Sequence, residues 1–180
     1  MESMKCIRIA ILSVLIAWIP LAANWNADAP NAKIMFTVSG PFGIVHGNFK
    51  GLKATLKFDE ADLPGSSISA SVEANTVSTG IGLRNHDLKK EEWLNTDKYP
   101  LISYHSAKIE KTPGGFKSLG ELTLKGVAKP LEIPFTFTSK GNTGLFKGEF
   151  VIKRQDFNIV STSKSVGNEV TITLEVPVKK

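Results

Sequence analysis

The chain has 180 residues, with 22 Lys and Arg against 17 Asp and Glu for a net charge of +5, a size that fits one domain. Its basic residues are scattered without a block or stripe, which argues against nucleic acid and leaves a mild preference for anionic head groups or a membrane surface. The single cysteine, Cys6, excludes a disulfide framework and thiolate chemistry.

Lys5 and Arg8 precede an apolar run over residues 9–23, the order of a secretory signal peptide. The run is shorter than the roughly 20 residues that span a bilayer, so a membrane anchor ranks second. Cys6 lies ahead of the run, where it cannot serve as a lipidated cysteine. Two cleavage points are open. Ala23 has the required small side chain but large Leu21 stands two before it, and Ala27-Asp28-Ala29 fits the small-x-small rule but Pro30 follows directly. The expectation is a leader over 1–23, reaching about 29 at most, a folded domain over 30–180, and a periplasmic or secreted protein.

From Lys33 onward apolar and polar residues alternate. Ile34, Phe36 and Val38 share one face; Leu52, Ala54, Leu56 and Phe58 share the next, and Ile68, Ala70, Val72 and Ala74 the one after. Further strands are predicted over 101–110, 116–124, 130–138, 145–153 and 169–178, with Gly and Pro punctuation between most of them. Eight one-sided strands on short turns predict an all-β protein, an eight-stranded antiparallel barrel, with a two-sheet sandwich as the alternative. Alternation turns Phe36, Phe58, Phe116, Phe135, Phe137, Phe146 and Phe150 inward. These can fill the core or line an apolar cavity, since ligand pockets are walled mainly by such groups. The expected cavity wall is Phe36, Val38, Phe58, Ile68, Val72, Leu124, Phe135, Phe137, Phe150, Ile172 and Leu174.

Residues 79–100 break the alternation with a dense run of charge. Asn85 is a candidate N-cap, with Asp87 beside the positive end of a helix of two to three turns. So short a helix needs tertiary support, which Leu88, Trp93 or Leu94 can give by docking on apolar surface. Pro100 holds Tyr99 extended and returns the chain to strand. The segment is expected to lie across an open barrel end as a cap, with Arg84, Leu88, Trp93 and Tyr99 facing the mouth. Arg84 has two roles open to it: a fork for an anionic head group, or an ion-pair partner of Asp87.

These residues resemble the YceI-like, or polyisoprenoid-binding, family. The family's pattern appears as Thr79-Gly80, Arg84-Asn85-His86-Asp87-Leu88, Trp93, Tyr99-Pro100 and Ile102. It extends upstream through Val45-His46-Gly47-Asn48-Phe49 and "LKFDEADL", and downstream through "GELTLKGVAKPLEI" and "IKRQDFNI". The chain departs from it in three places: Asp87 stands at the family's His, Asn85 at its Asp, and Asn158 where a Gly often follows "DF". The resemblance implies a lipocalin-like barrel, exported, with a long cavity for an isoprenoid, an isoprenoid quinone or a similar amphiphile.

His46, His86 and His105 are the only histidines and lack metal-ligand spacing. No nucleophile motif, P-loop or dinucleotide fingerprint is present. The reading is therefore a lipid-binding carrier with no catalytic residues, metal or cofactor, in transient contact with a membrane surface. A packed barrel that binds a partner through its loops stands second, and an enzyme acting on lipid head groups third.

Overall fold

Nine strands form one antiparallel sheet in the computed structural model, which describes residues 23–160 and 165–180. In chain order they are β1 (Asn24–Ala27), β2 (Lys33–Gly40), β3 (Gly43–Lys57), β4 (Ser67–Ser78), β5 (Leu101–Thr112), β6 (Gly115–Leu124), β7 (Val127–Lys140), β8 (Thr143–Lys153) and β9 (Glu169–Lys179). Among the described residues one α-helix, α1 (Gly82–Lys89), lies between β4 and β5. The expected leader, apart from Ala23, lies outside the described residues.

Strands β2 to β9 pair with their chain neighbours, and β2 also pairs with β9, so the sheet closes into an eight-stranded barrel. Closure decides between barrel and sandwich, and it removes free edges that could recruit another strand. The ninth strand was not expected. In β1, Trp25 stands opposite Leu56 and Ala27 opposite Val178, so β1 fills the place between β3 and β9 that β2 enters further along. A 3₁₀ turn at Ala29–Asn31 separates the two halves of this broken strand. The folded unit therefore starts upstream of the expected boundary at residue 30. Trp25 is part of its core.

Strand β3 is longer than the sequence suggested. It runs 15 residues because Gly51, at φ 73°, carries the chain through a register shift against β4. A positive φ is costly for residues with a Cβ and natural for glycine. The bulge resets the alternation, so Phe49 and Leu52 both meet the interior although one is odd and one even.

The antiparallel order puts four connections at one end: residues 41–42, 79–100, 125–126 and 154–168. This end is the mouth. At the other end the interior is packed solid by Trp25, Leu56, Phe58, Ile109, Phe116, Phe135, Phe146 and Val178. Phe58 is 1% exposed and sits 5.0–5.6 Å, ring centre to ring centre, from Phe116, Phe135, Phe137 and Phe146. Three of the four contacts are edge-on at 69–72° and the fourth is at 83°, the arrangement that favours aromatic rings.

Candidate functional site: an apolar lumen with a capped mouth

Above the aromatic plug the barrel is hollow. A cavity of about 260 Å³ runs toward the mouth, far more than the roughly 10–15 Å³ that admits one water. Its wall is almost wholly apolar. Phe36, Val38, Ile68, Val72, Leu124, Phe135, Phe150, Ile172 and Leu174 line it as the alternation predicted. Phe58 and Phe137 do not. Both point inward, but they lie deeper, in the plug, where Phe137 packs on Trp25 at 5.1 Å. Alternation gives the face a residue occupies; depth along the barrel axis depends on strand stagger.

Phe49, Val77, Leu122, Ile133, Ile152, Ile159 and Val170 also form the wall. Gly47 makes room for it: it stands opposite Phe36, whose ring lies where a Cβ would be. Tyr104 brings a buried hydroxyl to the wall. Its hydroxyl shares a 2.7 Å hydrogen bond with Ser118, and burial pushes its pKa above the usual value.

The segment after β4 closes the mouth, as expected, but in a different manner. The helix begins at Gly82 with Ile81 as its N-cap, not at Asn85. Asn85 sits inside α1, where its Oδ1 accepts hydrogen bonds from the Thr79 amide at 2.8 Å and the Thr79 hydroxyl at 2.7 Å. Leu88, Trp93 and Leu94 turn down onto the cavity and line it. The α1 face carries no buried residue, so this docking comes largely from the turns that follow the helix.

Arg84 holds the cap in place, but through Thr79 and not through an ion pair with Asp87. Its Nε donates to the Thr79 hydroxyl at 2.8 Å and its Nη2 to the Thr79 carbonyl at 3.0 Å, so it braces the start of the cap away from the cavity. Asp87 pairs with Lys90 at 2.6 Å, and that hydrogen bond holds its carboxyl below the usual range. Tyr99 is also outside the lumen. Its ring lies against Gly126 in the β6–β7 turn, where a Cβ would come within 2.4 Å of it.

The comparisons agree with this geometry. The YceI-like domain family matches residues 25–178. The chain belongs to the YceI-like family. A UPF0312 protein of Yersinia enterocolitica is 30% identical over 165 residues, covering 87% of this chain and 86% of that one. The crystal structure of BcnA from Burkholderia cenocepacia is similar at a TM-score of 0.79 and 26% identity, covering 84% of this chain and 99% of that one. A polyisoprenoid binding domain from Saccharophagus degradans, implicated in plant cell wall breakdown, shares the fold at a TM-score of 0.65 and 14% identity, covering 89% and 99%.

The structure of this YceI-like barrel explains two of its three departures from the motif. Asn158 adopts φ 55°, a left-handed conformation that glycine favours and asparagine tolerates. Asn85 acts only as an acceptor toward Thr79, a task that an aspartate oxygen performs equally well. The three histidines stay apart. His46 bonds Thr37 and His105 bonds Ser69 on the outer wall, while His86 is exposed on α1. No group of three or more potential metal ligands is present among the described residues.

Beyond the further wall residues above, one charged residue of the YceI-like site was missed. Arg154, in the 3₁₀ turn after β8 (Arg154–Phe157), is 5% exposed and lines the cavity. A signal for it existed. Phe150, Ile152 and Arg154 are in phase, so the inward alternation of β8 ends on a cation.

Proposed function

We propose that this YceI-like protein is an exported carrier that holds the long apolar chain of an amphiphile, isoprenoid-like in character, in its lumen. The observation that carries this reading is a closed barrel containing a dry-walled cavity of about 260 Å³ between an aromatic plug and a capped mouth. A hole lined by aliphatic and aromatic groups recognises hydrocarbon by fit and exclusion of water, and it needs no polar partner along the tail. The cavity also disfavours the alternative of a solidly packed barrel. That the related Saccharophagus degradans domain is described as polyisoprenoid binding supports a chain-like cargo. The reading includes no chemistry performed on that cargo.

A carrier must exchange its cargo with a membrane, and the surface supports contact at the mouth. Phe42 stands fully exposed at the tip of the β2–β3 hairpin, with Ile44, Ile81, Leu83 and Val160 also exposed on the mouth's loops or beside them. Leu101 and Val151, at the mouth-side ends of β5 and β8, complete the exposed large apolar residues among those described. The plug end has none of them. The β8–β9 loop and the β2–β3 hairpin are joined by the Gly167 amide donating to the Ser39 carbonyl at 2.8 Å, so Val160 and Phe42 belong to adjoining parts of the rim.

Native mass spectrometry tests the cargo. Protein purified without detergent should show an added mass that denaturation releases as an apolar chain. Protein without added mass that also fails to take up an isoprenoid alcohol after organic extraction and refolding would sink the carrier reading.

A further inference from the structure

We propose that Arg154 receives an anionic oxygen head group, phosphate or carboxylate, on the amphiphile whose tail fills the lumen; this rests on the lumen being a lipid site. The guanidinium is inside the protein, and its acceptors are neutral. Nε donates to the Gly167 carbonyl at 2.9 Å, Nη1 to the Ile159 carbonyl at 2.6 Å, and Nη2 to the Val166 carbonyl at 2.9 Å. A guanidinium has five N–H groups, so two remain after these three bonds to the described residues. Among the described residues no carboxylate lies within salt-bridge distance of it, and residues 161–164, in the same loop, contain no acid in sequence. Asp156, two residues on, is exposed to solvent.

A buried cation whose hydrogen-bond acceptors among the described residues are carbonyl dipoles is costly in a low-dielectric wall unless a counter-charge arrives. The ligand can supply that counter-charge. Arg154 lies at the mouth end of the cavity, so a head group there leaves the tail pointing toward the plug. The carbonyl bonds and the Trp93 ring, 5.8 Å away, hold the guanidinium's position. A preset fork suits bidentate contact with phosphate or carboxylate oxygens. From the cap only Leu88, Trp93 and Leu94 line the lumen, and none of them is charged; Arg84 is turned to Thr79, and Asp87 and Lys90 pair outside. Arg154 has a structural duty as well, because its three carbonyl bonds latch the β8–β9 loop.

Matched probes separate head-group recognition from latching. Farnesyl monophosphate and farnesol share one tail, and inorganic phosphate supplies the anion alone. In titrations of the lipid-free wild-type chain, farnesyl monophosphate should bind at least tenfold tighter than farnesol, and inorganic phosphate should not compete at equal concentration. Arg154→Met should remove most of the phosphate's advantage while farnesol still binds, and Arg154→Lys should keep part of it. Equal affinity for the two farnesyl probes in the wild type would overturn the proposal even if no variant folds. Equal losses for both probes in Arg154→Met would reduce Arg154 to a latch. Tight binding of inorganic phosphate would mark a free-anion site and reject a lipid head group. If neither farnesyl probe binds, the lumen reading itself fails and the head-group assignment goes with it.

Discussion

The indole of Trp25 donates a 3.0 Å hydrogen bond to the carbonyl of Phe58, tying the first strand to the residue at the centre of the aromatic plug. The backbone repeats the tie, since the Phe58 amide donates to the Ala23 carbonyl at 2.9 Å. The plug is therefore completed by Trp25, two residues beyond the apolar run over 9–23, and by the backbone of Ala23, the run's last residue.

This connection bears on processing. On the export proposed above, the mature protein should begin at Asn24, because cleavage after Ala29 would remove β1 and Trp25 with it. Trp25→Ala should cost about 3–5 kcal/mol, the usual cost of deleting a buried large aromatic. Intact-mass analysis of protein recovered from the cell envelope checks the first point and denaturant unfolding the second. A chain that starts at Pro30 and unfolds at the same midpoint as one starting at Asn24 would rule out a structural role for β1.

Plug and lumen should respond oppositely to mutation. Phe58→Ala opens a void among four aromatic neighbours and should lower stability by about 3–5 kcal/mol. Ile172→Phe adds bulk beside an existing cavity, so stability should change by less than about 1.5 kcal/mol while uptake of an apolar chain falls. The two effects are read by chemical denaturation and by competition against a fluorescent fatty probe. Unchanged uptake in Ile172→Phe would place the ligand elsewhere.

Trp93 should report occupancy. It lines the cavity, whereas Trp25 lies in the plug. Adding an isoprenoid alcohol to lipid-free protein should shift or quench tryptophan emission. Trp93→Phe should abolish that response and Trp25→Phe should retain it. The reverse result would locate the ligand at the plug end.

Tyr104 predicts a loss of stability in strong alkali. Its folded pKa is raised above the ordinary value of 10.0, first by burial, with the Ser118 hydrogen bond opposing. The fold thus holds the phenol proton more tightly than the unfolded chain does. That contribution is complete below pH 10 and is lost as pH rises from there through the folded pKa. Tyr104→Phe should remove this alkaline component from a pH series of unfolding midpoints. At neutral pH it should cost about 1–3 kcal/mol, because the Ser118 hydroxyl, only 1% exposed, loses its partner. An alkaline limb that persists unchanged in Tyr104→Phe would assign the effect to other groups.

The exposed apolar rim should anchor the mouth to lipid. Wild-type protein should float with phosphatidylcholine vesicles in a density gradient, and the Phe42→Ser/Leu83→Ser double variant should float several-fold less at equal stability. A double variant of this kind that floats as well as the wild type would argue against docking through the mouth.

Local periodicity determined much of this protein by itself. A period of two placed the eight barrel strands and turned all seven of the named phenylalanines to the inside, because side-chain direction along a strand is a property of neighbouring residues. The run of charge over 79–100 located the cap for the same reason: it could not continue a half-buried strand. What those inward faces enclose is set by long-range contacts. Closure through the β2–β9 pairing, the stagger that sends Phe58 and Phe137 into a plug while Phe150 and Ile172 face a void, and the arrival of Trp25 from β1 all depend on contacts between residues far apart in the chain. The two arginines show the same division. Arg84 has a ligand role and a bracing role both open in sequence, and it is held by Thr79, five residues away. The phase of β8 turns Arg154 inward, but its partners, the carbonyls of Ile159, Val166 and Gly167, come from the folded loop. Alternation fixes which face a side chain occupies; depth, volume and partners are set by how distant strands and loops meet.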